Sequence, residues 1–267
     1  MRKITINLAA VAAFCIVVAS PALVSSSCAT PKTEQEDTTI IREDSGITAL
    51  KYSSPEVPAS IEFCGKTIDL SRFDRHERMD RELLAFTYMH STSLQMLKKA
   101  NRYFPIVEPI LKENGIPDDF KYLMVIESNM NPTARSSAGA AGLWQFMQGT
   151  GRDYGLEVNN NVDERYHIEK ATRAACRYLK DAYAKYKDWV AVAASYNAGQ
   201  ARIASQLAKQ DVDDSLDLQL VEETARYVYR ILAAKQLFNA PTTFGFRLRA
   251  SDLYPPIPYT EITVTKG

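Results

Sequence analysis

Glu127 lies three, four and seven residues after Met124, Leu123 and Phe120, so on a helix its carboxylate shares a face with three large apolar side chains. Desolvation on such a face raises a carboxyl pKa. A carboxylic acid that stays protonated near neutral pH is what protonation of a leaving oxygen requires. By position alone, the same residue could simply end its helix and pair with Arg135. The stretch after it is more telling. Residues 128–142 are turn formers and small residues, and they lead into Leu143-Trp144-Gln145-Phe146-Met147. Glycines there let a backbone approach a ligand closely, and Trp with Gln is a pair that can stack on and hydrogen-bond a sugar. A second piece of this kind is Ser195-Tyr196-Asn197-Ala198-Gly199, and a third is Glu223-Thr224-Ala225-Arg226-Tyr227-Val228.

Taken in order, Glu127-Ser128, Gly142-Leu143-Trp144-Gln145-Phe146-Met147, Tyr154-Gly155-Leu156, Tyr196-Asn197-Ala198-Gly199 and Tyr227-Val228 resemble the soluble lytic transglycosylase domain, whose members share a goose-type lysozyme-like helical fold. The resemblance covers about residues 77–246. Arg102-Tyr103-Phe104-Pro105 and residues 115–123 look most like the D branch of the membrane-bound lytic murein transglycosylases, in the form found in Bacteroidetes. Two departures stand out: Tyr166-His167-Ile168 occupies the place of a common Arg-Asp-Pro, and no LysM wall-binding repeat comes after the domain.

The resemblance implies roles. Glu127 matches the single catalytic acid/base; Ser136 and Gln145 match residues that touch the sugar and its N-acetyl group; Met147 matches an apolar contact beside them. Tyr196 and Asn197 match a pair lining the cleft, and Tyr227 matches a tyrosine whose hydroxyl reaches the catalytic carboxylate. The implied reaction cuts the β-1,4 bond between N-acetylmuramic acid and N-acetylglucosamine in peptidoglycan and leaves 1,6-anhydromuramoyl ends. Most glycosidases use two carboxylates. Here Asp118 and Asp119 stand at the far end of the Glu127 helix, about 12 Å away at 1.5 Å per residue, so the substrate's own acetamido oxygen would have to assist. A lysozyme-like muramidase on the same fold and a non-catalytic peptidoglycan-binding lipoprotein remain as alternatives.

The elements that must position these residues are helical. Residues 61–70 alternate about a Gly and predict a small hairpin. Apolar spacing then predicts one long helix over 79–97 and others over 102–113, 117–127, 143–154, 168–186, 189–198, 199–210 and 218–239. The connections are short, without βαβ alternation, so the fold class is mainly α with the hairpin N-terminal to the catalytic domain. The boundaries expected are a signal peptide at 1–27, a tether with the hairpin at 28–76, the catalytic domain at 77–246 and a tail at 247–267, with a strand-like Ile262-Thr263-Val264.

Residues 1–22 begin with Arg2-Lys3 and continue through an apolar stretch that is shorter than the roughly 20 residues of a membrane span. The run that follows, Leu23-Val24-Ser25-Ser26-Ser27-Cys28, resembles a lipobox, although Ser25 stands where that box prefers an aliphatic residue. Lipidation at Cys28 would make the protein a membrane-anchored, periplasmic lipoprotein of the cell envelope; the alternative is ordinary cleavage among the serines. Cys64 and Cys176 could pair in one way only, but a buried free thiol is the commoner state for a cysteine in a pattern like that around Cys176. His76, His90 and His167 are scattered, so no metal or other cofactor is expected. The 267 residues carry 32 basic and 32 acidic side chains. That balance offers no global field for nucleic acid. A monomer acting on glycan strands is expected.

Overall fold

A computed structural model describes residues 53–258. The leader, Cys28, most of the tether and residues 262–264 lie outside the described residues.

Strands β1 (Ser60–Phe63) and β2 (Lys66–Asp69) pair antiparallel, with Ile61 opposite Ile68. Cys64 and Gly65 join them, both at positive φ (53° and 81°), as a two-residue turn whose twist suits the strands it connects. Ile61, Phe63, Ile68 and Leu70 are buried in the same core as the helices. Asp119 clasps the turn, accepting from the Cys64 N–H at 2.7 Å and pairing with Lys235 at 2.7 Å.

Helix α1 (Phe73–Tyr88) is succeeded by α2 (His90–Glu113). The expected helix over 79–97 therefore breaks at Met89, where ψ is 51°. Hydroxyl side chains explain the break: the Thr87 hydroxyl donates to the Leu83 carbonyl at 2.7 Å and the Ser93 hydroxyl to the Phe86 carbonyl at 2.6 Å, offering the backbone an alternative to its helical ladder. Conversely, the segment expected at 102–113 continues α2 without interruption, although Pro105 and Pro109 each remove a ladder bond. Burial of Tyr103, Val107, Ile110 and Leu111 offsets that loss.

The remaining helices are α3 (Phe120–Ser128), α4 (Gln148–Asp153), α5 (Ile168–Tyr186), α6 (Trp189–Ala198), α7 (Gln200–Lys209) and α8 (Glu222–Asn239). Residues 190–195 of α6 are all buried, which is how a helix that is apolar all round must sit. Helices α5 and α8 pack against it, α8 also covers α1 and α3, and α5 covers α2. Past Phe246 the chain returns along α2: the Tyr254 N–H donates to the Lys98 carbonyl at 3.0 Å, and Arg102 Nε donates to the Pro255 carbonyl at 2.9 Å. Cys64 and Cys176 are both free.

Candidate active site

Glu127 occupies the last turn of α3. After Ser128, Asn129 and Met130 take left-handed conformations (φ 49° and 59°), so the chain turns away one residue past the acid. The buried Met130 side chain anchors that turn. Burial pushes the Glu127 carboxyl up to about 7, against the lowering effects of a hydrogen bond from the Tyr227 hydroxyl and the charge of Arg230; the charge of Glu223 adds to the rise. The apolar face read from residues 120–124 is the cause: Phe120, Leu123 and Met124 are fully buried.

Tyr227, on α8, is buried and donates its proton to Glu127 Oε1. Its own hydroxyl is held well above the usual tyrosine range by burial, then by the Glu127 charge, so it stays a donor. Tyr196 is raised in the same way, with Glu127 the largest charged influence on it, and its hydroxyl donates to the Trp144 carbonyl at 2.8 Å. Asn197, next on α6, accepts from the Thr224 hydroxyl on α8 at 2.8 Å. Three hydrogen bonds thus knit the three motif pieces together: α8 to α3, α8 to α6, and α6 to the loop.

That loop, 134–147, is not the helix expected at 143–154; only residues 148–153 are helical. Two short bridges pair Ala141 with Arg135 and with Phe146. Gln145 takes φ 49°, and its side-chain amide donates to the Gly142 and Ala134 carbonyls at 2.8 and 3.2 Å. Among the described residues its amide oxygen makes no hydrogen bond. Ser136 is exposed, and its hydroxyl accepts the Ala140 N–H at 3.0 Å within the same turn. Met147 is 45% exposed at the start of α4. The Trp144 ring is completely buried, and Nε1 donates to the Thr172 hydroxyl at 2.9 Å. It therefore serves packing and offers no sugar platform, contrary to the stacking expected of the Trp-Gln pair.

Two contributors escaped sequence reasoning. Arg165, buried to 5% exposure, donates to the Gly139 and Phe146 carbonyls at 2.8 and 3.0 Å and pairs with Asp163 at 2.7 Å, which holds the loop from beneath. Nothing in its local sequence marks that use. Arg230 was findable, since it lies three residues beyond Tyr227 and shares its helix face.

Tyr227→Phe removes a hydrogen bond that lowers the Glu127 pKa, so that pKa rises. The alkaline limb of any rate that needs protonated Glu127 moves to higher pH, and the maximal rate falls by about tenfold, the size expected of one bond to a charged group. A pH–rate profile with an unmoved limb refutes the role.

Residues 105–217 match the Transglycosylase SLT domain family. Membrane-bound lytic murein transglycosylase D of Escherichia coli is 30% identical over 181 residues, 66% of this chain and 39% of that protein. Membrane-bound lytic murein transglycosylase C of Haemophilus ducreyi is 29% identical over 150 residues, 51% of this chain and 40% of that protein. The chain thus spans about two fifths of the length of these relatives. Among solved structures, the 70 kDa soluble lytic transglycosylase of Escherichia coli overlaps with a TM-score of 0.45 and 21% identity, over 58% of this chain and 27% of that one. Glu127, Ser136, Gln145, Met147, Tyr196 and Asn197 lie within the matched family segment, whereas α8, with Tyr227, lies beyond it.

Proposed function

Since this chain carries a transglycosylase SLT domain and is homologous to membrane-bound lytic murein transglycosylase D, we propose that it is a peptidoglycan lytic transglycosylase of the cell envelope. It cuts the β-1,4 bond between N-acetylmuramic acid and N-acetylglucosamine and closes a 1,6-anhydro ring on the muramoyl product. The reading is carried by one observation, a Glu127 carboxyl raised to about 7 by burial and held by the Tyr227 hydroxyl. Such a group is protonated often enough to give its proton to the glycosidic oxygen, and once ionised it is basic enough to take one back.

Glu127 protonates the bridging oxygen and the C1–O bond breaks, while the substrate's acetamido oxygen shields C1. The ionised Glu127 then accepts the C6 hydroxyl proton as that oxygen bonds to C1. Glu127 ends protonated and no water is consumed. A single acid suffices on this route. Glu223 is the other acid whose charge reaches Glu127, but it is exposed and, among the described residues, has no hydrogen bond or ion pair to aim it as a nucleophile. Gln145, its N–H groups spent on its own loop, would accept from the acetamido N–H and leave the acetamido oxygen free to face C1. Ser136 and Met147 would border the same sugar, and Tyr196 and Asn197 the cleft wall. No cofactor is required. Mass analysis of muropeptides released from purified sacculi tests the reaction, because anhydro ends are lighter by one water than the reducing ends a muramidase would leave.

The protein would act as a monomer from a membrane anchor at Cys28. Cys28→Ala is then expected to move it from the membrane to the soluble fraction on cell fractionation; an unchanged distribution removes the anchor from the proposal. A single acyl chain holds only weakly, so more than one would be needed for stable attachment.

A further inference from the structure

Trp144 stands directly before Gln145 and is held at both its backbone and its ring. The Tyr196 hydroxyl on α6 donates to the Trp144 carbonyl at 2.8 Å, and the indole Nε1 donates to the Thr172 hydroxyl on α5 at 2.9 Å. Thr172 is itself fully buried, and its one hydroxyl proton goes to the Ile168 carbonyl at 2.7 Å. A hydroxyl with its proton so committed has only lone pairs to offer the indole. Indole, threonine and the first turn of α5 thus form one buried chain of hydrogen bonds. Packing alone asks for none of this, since a purely apolar side chain fills a core without a donor to satisfy.

Gln145 inherits that constraint. At φ 49° it holds a left-handed conformation that a residue with a side chain seldom adopts, and that persists only where its surroundings enforce it. The bonds of its own amide, to the Gly142 and Ala134 carbonyls, stay within the loop and so do not fix the loop against the helices. Arg165 holds the loop at the Gly139 and Phe146 carbonyls. Trp144 ties it to α5 and α6, one position before the strained residue.

We propose that Thr172 is a positioning residue for the reaction: by anchoring the Trp144 indole it keeps Gln145 in its left-handed conformation, with the amide oxygen aimed at the acetamido N–H of the sugar. The inference rests on the reading of this chain as a lytic transglycosylase with Gln145 at the acetamido group. Thr172 touches no substrate and acts through Trp144 on its neighbour. Without the hydroxyl the indole donor is buried unpaired and the ring shifts in search of another acceptor. Gln145 then relaxes out of the left-handed region and carries its amide oxygen away from the acetamido group. Glu127, held by Tyr227 from α8, is not part of this chain of contacts.

A double-mutant cycle on the full protein tests this, with kcat and KM read for formation of anhydro ends from purified glycan strands. Thr172→Val keeps the volume, removes the hydroxyl and should lower kcat/KM about tenfold or more, the scale of a small misplacement of a positioning group. Thr172→Ser keeps the hydroxyl and should stay within about twofold of the native value. In a Gln145→Ala background, assayed at raised protein concentration, Thr172→Val should change kcat/KM by less than about twofold, because the group it positions is gone. Thermal melts should show the same loss of stability in both backgrounds, which separates positioning from a general weakening of the fold. Thr172→Ala also lacks the hydroxyl and takes the place of Thr172→Val in the cycle if the latter does not fold. The alkaline limb of the pH–rate profile should stay where it is. An equal loss of kcat/KM in both backgrounds, native activity of Thr172→Val, or a displaced limb overturns the positioning role and leaves the enzymatic reading standing. Failure of the native protein to form anhydro ends overturns that reading and the positioning role with it.

Discussion

Glu127→Gln is expected to fold and to release anhydromuropeptides at least about a thousandfold more slowly than the native chain, the scale of losing a positioned general acid that also serves as base. The amide keeps the shape of the side chain and can still accept from the Tyr227 hydroxyl, so loss of activity cannot be put down to a collapsed site. Stability supplies an independent readout. A folded carboxyl pKa of about 7 exceeds the ordinary 4.5, so the native state binds the proton more tightly than the unfolded chain does. The stabilisation is fully present below pH 4.5 and is lost as pH rises through 7, a change of at most about 3 kcal/mol. Glutamine never ionises, so the variant should match the native chain near pH 4 and exceed it in denaturant midpoint at pH 8. Equal midpoints at pH 8 contradict burial of the acid, and near-native turnover contradicts its role.

Gly142→Ala is expected to be among the most damaging substitutions that touch no reacting group. Gly142 sits at φ 77°, and a Cβ there would meet the Arg165 carbonyl oxygen, a backbone atom, at 1.9 Å. One strand of the loop must then separate from the segment that Arg165 anchors. Left-handed strain and overpacking together cost about 3–5 kcal/mol, which lowers Tm by about 10 °C for a domain of this size. Gly139 is the control: it is also left-handed at φ 90°, but nothing lies within 4 Å of a Cβ there, so Gly139→Ala should cost only about 1 kcal/mol. Thermal melts of the two variants decide the matter; equal shifts would mean that the approach to Arg165 is not what constrains the loop.

Such contrasts trace what could be read from the residues. Periodicity and punctuation placed α5 and α6 at the residues where they occur. The stripe of α5 and the wholly apolar run of α6 are bounded by caps that local chemistry supplies, with Asp188 accepting from the Val190 N–H at 2.8 Å between them. The break at Met89 escaped because Leu83, Phe86, Leu94 and Leu97 keep helical spacing across it, while the cause is a competition for carbonyls by Thr87 and Ser93. The segment 143–147 also carries helix-like apolar spacing, yet its conformation is set by Gly142 against Arg165 and by Gln145 folding back on its own loop. Those are contacts that spacing does not encode. In the site, the apolar face beneath Glu127 could be derived from position. The partner across the cleft could be reached only by resemblance, since 100 residues separate Glu127 from Tyr227.

That separation also orders the assembly of the candidate site. Chains are made from the N-terminal end. When the segment holding Glu127 has been made, α8 has yet to arrive, and the acid lacks both the hydroxyl that orients it and the helix that covers α1, α3 and α6. The pairing of Glu127 with Tyr227 forms only when α8 docks, so completion of the fold and completion of the site are one event.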